Sequence, residues 1–158
     1  MNSVYLSLGA NLGEREATLM QAVGLLEQRV GELLRCSSFF YSEPWGFQSE
    51  HGFCNLCAAF RTGLAPEEIL LRTQAIEREL GRTHKTTMRA GQAEYHDRCI
   101  DIDLLQYFDE QGNEVRWQSA TLTLPHPLMH EREFVMVPLR EIKTLKTGDG
   151  VHGRLYDS

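Results

Sequence analysis

Asp101 and Asp103 stand two residues apart in the stretch Asp97-Arg-Cys-Ile-Asp-Ile-Asp-Leu-Leu105. Side chains alternate across a strand, so the two carboxylates share one face, and Ile100, Ile102 and Leu104 share the other. Same-face neighbours lie only ~6.5–7 Å apart at the backbone, where two carboxylates repel and each is costly to desolvate without partners. An edge strand with a wet polar face would tolerate them as ordinary aspartates. The second reading is a hard-cation site. Mg²⁺ prefers oxygen ligands, keeps several waters and shares substrate phosphates, and paired aspartates suit two such ions.

Three further groups of residues have chemical promise. Between 82 and 98 lie Arg82, His84, Lys85, Arg89, His96 and Arg98, against Glu94 and Asp97, in a chain of formal net charge −6. The global sign argues against non-specific nucleic-acid binding, whereas the local excess of basic groups suits a small anionic ligand. Gln74 and Glu77 share a helix face at i and i+3 that leads into this segment. The loop Ser42-Glu-Pro-Trp-Gly-Phe-Gln48 carries Trp45 and Phe47, and Phe53 and Asn55 follow at same-face strand spacing. Aromatics beside an amide suit a flat polar heterocycle; the same aromatics would also serve to pin a loop to the core.

Other patterns carry less. Gly9-Ala-Asn-Leu-Gly13 matches neither phosphate-loop signature and reads as turn and cap chemistry. Cys54-Asn-Leu-Cys57 has half the spacing of a zinc site but no second pair, so free, partly buried thiols are expected. His126 and His130 lack the glutamate of a zinc-protease helix.

These residues need a frame. The 158 residues, 42% hydrophobic and 24% charged, suit one domain over the whole chain, 1–158. Alternation predicts a first strand from Ser3 to Leu8, ending at Gly9. A helix follows over Arg15–Val30, with Leu19, Val23, Leu26 and Val30 on one face and Gly31 as its C-cap. Strands are predicted over Leu34–Tyr41, Phe53–Thr62 and Cys99–Phe108, with a short one over Thr121–Leu124. A second helix runs from Pro66 to Leu80, with Ile69, Thr73, Ile76 and Leu80 inward. The order βαββαβ predicts an α+β, ferredoxin-like core with an antiparallel sheet and helices packed on it. No run approaches the ~20 apolar residues of a membrane span, and no secretory signal is legible; a cytoplasmic monomer is expected.

As an ordered set, the stretches LSLGANLGERE (6–16), SSFFYSEPWGF (37–47), FCNLC (53–57), TQAIERELGR (73–82), YHDRCIDIDLL (95–105) and LTLPHPLMHEREFVMVPL (122–139) resemble the 6-hydroxymethyl-7,8-dihydropterin pyrophosphokinase family of folate biosynthesis. The resemblance covers the chain to about residue 142. It implies transfer of pyrophosphate from ATP, with two Mg²⁺ ions, to the hydroxymethyl group of the pterin. Asp101 and Asp103 match the metal ligands. Ser42, Pro44, Trp45, Gly46, Phe53, Asn55 and Phe134 match the pterin pocket. Leu70, Leu71, Gln74, Arg82, Lys85, Tyr95, Arg98, Leu104, Thr123, His126 and Arg132 match the surroundings of ATP; Glu77, on the helix face of Gln74, is expected beside them, and Arg82 and Arg98, at either end of the basic segment, are expected to be catalytic. The segment 82–98 is expected to close over the phosphates. It departs from familiar members in the extra length at Thr86–Glu94, in His84 where some have Arg, and in Tyr95 where some have Trp; the tail from Lys143 to Ser158 diverges as well. Two competing readings are another two-metal enzyme, which would release pyrophosphate rather than AMP, and a non-catalytic ligand-binding module on the same fold.

Overall fold

The computed structural model describes residues 1–11, 13–42, 52–81 and 100–144. Strand β1 (Asn2–Ala10) places Val4, Leu6, Leu8 and Ala10 on one fully buried face, as its alternation requires. Helix α1 (Arg15–Arg29) covers that face with Leu19, Ala22, Val23 and Leu26, the spacing of an apolar stripe at 3.6 residues per turn. Gly13, at a φ of 62°, makes the turn from strand to helix.

The predicted second strand is two strands, β2 (Glu32–Cys36) and β3 (Phe40–Ser42). Both pair with β4 (Phe53–Thr62), at opposite ends of it. The break has a local cause. The Ser37 backbone N–H donates to the carbonyl of Cys57, but it is the Ser37 hydroxyl, not its carbonyl, that accepts from the Cys57 N–H. A side chain thus replaces the backbone rung. Beyond it, the N–H and hydroxyl of Ser38 both donate to the Glu141 carboxylate.

Helix α2 (Pro66–Gly81) has Pro66 in its first turn, Glu67 and Glu68 at the positive end of its dipole, and Ile69, Thr73, Ile76 and Leu80 buried, as predicted. Strand β5 (Asp101–Phe108) completes the sheet in the order β2-β4-β1-β5, every pairing antiparallel. This is the α+β, ferredoxin-like arrangement. A small hairpin of β6 (Trp117–Gln118) and β7 (Thr123–Leu124) follows.

A third helix, α3 (Glu133–Thr144), was not among the expected elements; Pro138 lies inside it and obscures the periodicity. Val135, Leu139 and Ile142 pack it onto the sheet face opposite α1 and α2, against Cys57, Ala59 and Leu105. The sheet therefore has one face sealed by two helices and one only partly covered.

Gly31 was expected to cap α1 through its conformation. The helix instead ends at Arg29, and Gly31 is needed for close approach: a Cβ there would lie 1.8 Å from the Arg61 carbonyl oxygen. Gly24, exposed inside α1, has nothing within 4 Å of an added Cβ. The two alanine substitutions should therefore act in opposite directions. Urea unfolding should show Gly31→Ala destabilised by about 1–3 kcal/mol and Gly24→Ala stabilised by about 0.5–1 kcal/mol.

Candidate active site

The partly covered sheet face carries the polar residues. Antiparallel register pairs Gly9 with Asn55 on one side and with Asp101 on the other. The next row along the same face joins Cys57, Ser7 and Asp103. An amide and a carboxylate thus face the same way across three strands, about 10 Å apart at the backbone, with a residue between them that has no side chain. A cleft of about 890 Å³ opens over this floor, lined by Ser7, Gly9, Phe40, Tyr41, Ser42, Phe53, Asn55, Asp101, Asp103, Glu131, Arg132, Glu133 and Phe134.

Asn55 is 2% exposed and held from two sides. Its Nδ2 donates to the Phe40 carbonyl and to the Ser42 hydroxyl, each at 3.1 Å. A carbonyl can only accept, so the amide orientation is determined, and Oδ1 is the atom that Asn55 can offer a ligand. Phe53 follows two residues before it on the same face. Phe134, in the first turn of α3, enters from the other wall, with the Arg132 guanidinium 5.8 Å from its ring centroid.

Asp101 and Asp103 project into the cleft, and Ile102 and Leu104 into the core, where they are 4% and 3% exposed. The alternation read from the sequence is present. It continues through Leu104, which faces the helices, and Leu105, which packs with α3; a register shift between Tyr5 and Leu6 then leaves Leu105 outside the paired register and puts Gln106 opposite Tyr5. Between the two aspartates the Ile102 N–H donates to Glu77 Oε2 at 2.7 Å. Glu77 thus satisfies a backbone donor of an edge strand and fixes the strand between its two carboxylates.

The remaining sequence-predicted positions are divided. The cleft lining brings together Ser42, Phe53, Asn55, Asp101, Asp103, Arg132 and Phe134. Leu70, Leu71, Gln74 and Glu77 lie on α2, with Leu71 exposed, and Leu104 is core. Thr123 is on β7, whose hairpin is tied to α2 by Glu67, which accepts from Trp117 Nε1, the Ser119 hydroxyl and the Thr121 hydroxyl. The backbone N–H of His126 donates to the Leu105 carbonyl at 2.9 Å. Its Nδ1 accepts from the Leu128 N–H, which places the ring proton of the neutral form on Nε2. Burial holds that imidazole below its ordinary pKa, opposed by the charge of Asp103, so it is neutral at pH 7. Pro44, Trp45, Gly46, Arg82, Lys85, Tyr95 and Arg98 lie outside the described residues, as does the expected closure of 82–98.

Ser7, Gly9, Phe40, Tyr41, Glu131 and Glu133 line the cleft without having been singled out for it. Gly9 was expected in a turn and is instead the last but one residue of a paired strand, because β1 continues to Ala10. A Cβ on Gly9 would meet Asn55 Oδ1 at 2.8 Å. Cys54 and Cys57 face opposite sides of β4, in separate clusters, so this CxxC does not converge on one ion.

Among the described lining residues, four carboxylates (Asp101, Asp103, Glu131 and Glu133) face one guanidinium, Arg132. No group of three or more His, Cys, Asp or Glu there would enclose an ion. The aspartate pair is nonetheless a fit donor set for Mg²⁺, which takes one or two carboxylates and fills its other positions with water and phosphate oxygen.

Residues 5–144 match the family model for 7,8-dihydro-6-hydroxymethylpterin-pyrophosphokinase. The chain is 49% identical over 142 residues to the 2-amino-4-hydroxy-6-hydroxymethyldihydropteridine pyrophosphokinase of Porphyromonas gingivalis, covering 90% of this chain and 91% of the relative. It is 37% identical to that of Bacillus subtilis, covering 89% and 78%. Among solved structures, Plasmodium falciparum HPPK-DHPS superposes with a TM-score of 0.61 at 15% identity, over 99% of this chain and 43% of that one, a likeness of fold. On the family model and these relatives, the chain belongs to the 7,8-dihydro-6-hydroxymethylpterin-pyrophosphokinase family.

Proposed function

We propose that the chain transfers the pyrophosphoryl group of ATP to the hydroxymethyl oxygen of 6-hydroxymethyl-7,8-dihydropterin, yielding AMP and the pterin diphosphate. The observation that carries the reading is the row Asn55–Gly9–Asp101: a heterocycle reader and a cation site on one floor, in a member of this family. Asn55 Oδ1 accepts from an N–H on the pterin edge. Phe53 and Phe134 take the two faces of the ring. Gly9 leaves room for the ring between the amide and the aspartates. The hydroxymethyl oxygen attacks the β-phosphorus, the bond from that phosphorus to the α,β-bridging oxygen breaks, and AMP departs with the released electron pair. The hydroxyl proton goes to solvent, and no side-chain nucleophile or dedicated base is required.

Asp101 and Asp103 would hold two Mg²⁺ ions, which when bound neutralise phosphate charge and acidify the attacking hydroxyl. The acidic floor favours this, since four carboxylates against one guanidinium repel a polyanion unless cations intervene. Arg132 and the Nε2–H of neutral His126 donate to phosphate oxygens. Arg82, Lys85, Tyr95 and Arg98 are assigned to the phosphate side from the family resemblance, with Arg82 and Arg98 catalytic. Leu70, Leu71 and Thr123 are assigned to the adenine and Gln74 to the nucleotide; Leu104, matched to the adenine surroundings by the family resemblance, has its side chain in the core and backs that surface rather than presenting a side chain to the ligand. Glu77 supports that end through the backbone of β5. ATP and the pterin are the only partners the reading needs; it involves no nucleic acid or membrane, and a cytoplasmic monomer fits it.

Incubation with ATP, Mg²⁺ and the hydroxymethyl dihydropterin should yield AMP and pterin diphosphate in equal amounts by chromatography; pyrophosphate release without AMP would overturn the reading. Asp103→Asn should lower kcat by about a hundredfold or more while pterin affinity persists; wild-type kcat in this variant would remove the aspartate from the chemistry. Gly9→Ala forces Asn55 off at least one of its two anchors and should weaken pterin binding about tenfold in a fluorescence titration.

A further inference from the structure

The N-terminus of α1 grips the cleft wall from outside. Arg15 Nη1 donates to the Gly52 carbonyl at 2.8 Å, and its guanidinium lies 5.6 Å from the centroid of the Tyr41 ring. Its neighbour Glu16 accepts from the Tyr41 hydroxyl at 2.7 Å. Tyr41 belongs to β3, and Gly52 immediately precedes β4. The two strands pair as Phe40–Asn55, Tyr41–Cys54 and Ser42–Phe53. They converge closely at that end, since a Cβ on Gly52 would lie 2.7 Å from the Ser42 carbonyl oxygen. Two consecutive helical residues thus hold both strands of one pair where it opens. Tyr41 is 54% exposed, yet its ring and hydroxyl are both engaged by this helix.

We propose that Arg15 and Glu16 are positioning residues for the pterin end of the site. Through Gly52 and Tyr41 they set the mouth of the β3–β4 pair, and with it Ser42, Phe53 and Asn55, without touching the substrate. Two of these are coupled directly, because the Ser42 hydroxyl is one of the two anchors of the Asn55 amide. The aspartates belong to β5, separated from β4 by β1, so the latch acts on the pterin and not on the metal-nucleotide half. The inference rests on the pterin reading above.

The test compares Arg15→Met, Arg15→Lys and Tyr41→Phe with the wild type, by fluorescence titration with the hydroxymethyl dihydropterin and by steady-state kinetics. Arg15→Met removes a charge-assisted bond and should raise the pterin Kd and KM about tenfold, with the KM for MgATP changed by less than about twofold. Arg15→Lys retains a donor for Gly52 and should recover part of the loss. Tyr41→Phe keeps the ring, removes the bond to Glu16, and should raise the pterin Kd in the same direction by less; it also reads the latch if Arg15→Met fails to fold. An unchanged pterin Kd in folded variants overturns the proposal, as does an equal rise in both KM values. A wild type that binds no pterin overturns the functional reading and the latch with it, whereas a wild type that binds and variants that bind equally well overturn the latch alone.

Discussion

The register joining β4, β1 and β5 is the constraint on which the site depends. Because Gly9 pairs with Asn55 and with Asp101, the amide and the carboxylate face the same way in one row. A slip of one residue in either pairing would turn one of them into the core. The helix side of the sheet holds the register in place. Val4, Leu6, Leu8 and Ala10 of β1, and Leu56, Ala58 and Phe60 of β4, are at or near zero exposure against α1 and α2. Reversing that alternation would expose them, at about 1.5–3 kcal/mol for each large side chain. The hydrophobic face thus fixes where the polar face points.

The polar face must then satisfy its own groups. Asn55 and Ser7 are nearly as buried as the core, at 2% and 5% exposure. Asn55 meets the requirement with two donated bonds, Glu77 supports the backbone between the aspartates, and Ser37 supplies the rung that lets β2 and β3 separate. The split matters for the site: it frees β3 to pair with the end of β4 that carries Phe53 and Asn55. Helix α3 seals the rest of this face, Phe134 of its first turn and Arg132 just before it reach the cleft, and Glu141, three residues beyond Pro138, binds Ser38 at the break.

Elements with strict periodicity were legible before the structure. β4 is a continuous apolar run that ends at Thr62, just before the Gly63–Pro66 break, and α2 begins at the proline and carries the four buried residues its spacing names. Short strands set by side-chain bonding were not: the eight-residue stretch Leu34–Tyr41 reads as one strand, and only the contact between Ser37 and Cys57 divides it. Helix α3 was hidden by Pro138, although Val135, Leu139 and Ile142 keep helical spacing. At the site, Asp101, Asp103, Phe53 and Asn55 were recognisable because alternation assigns their faces. Gly9 was misread as a turn residue, since its significance lies in two cross-strand neighbours far away in sequence. Tyr41 and Arg15 were missed for the same reason: their contacts join β3, β4 and α1.

The central claim is that pterin and metal share one floor across Gly9. Paramagnetic relaxation tests it most directly. With Mn²⁺ in place of Mg²⁺ and a non-hydrolysable ATP analogue, NMR can follow the hydroxymethyl protons of the bound pterin. Strong Mn²⁺-dependent relaxation of those protons, abolished by the Asp101→Asn and Asp103→Asn double substitution while the pterin stays bound, is the predicted result. A bound pterin whose hydroxymethyl protons do not respond to Mn²⁺ would contradict the account.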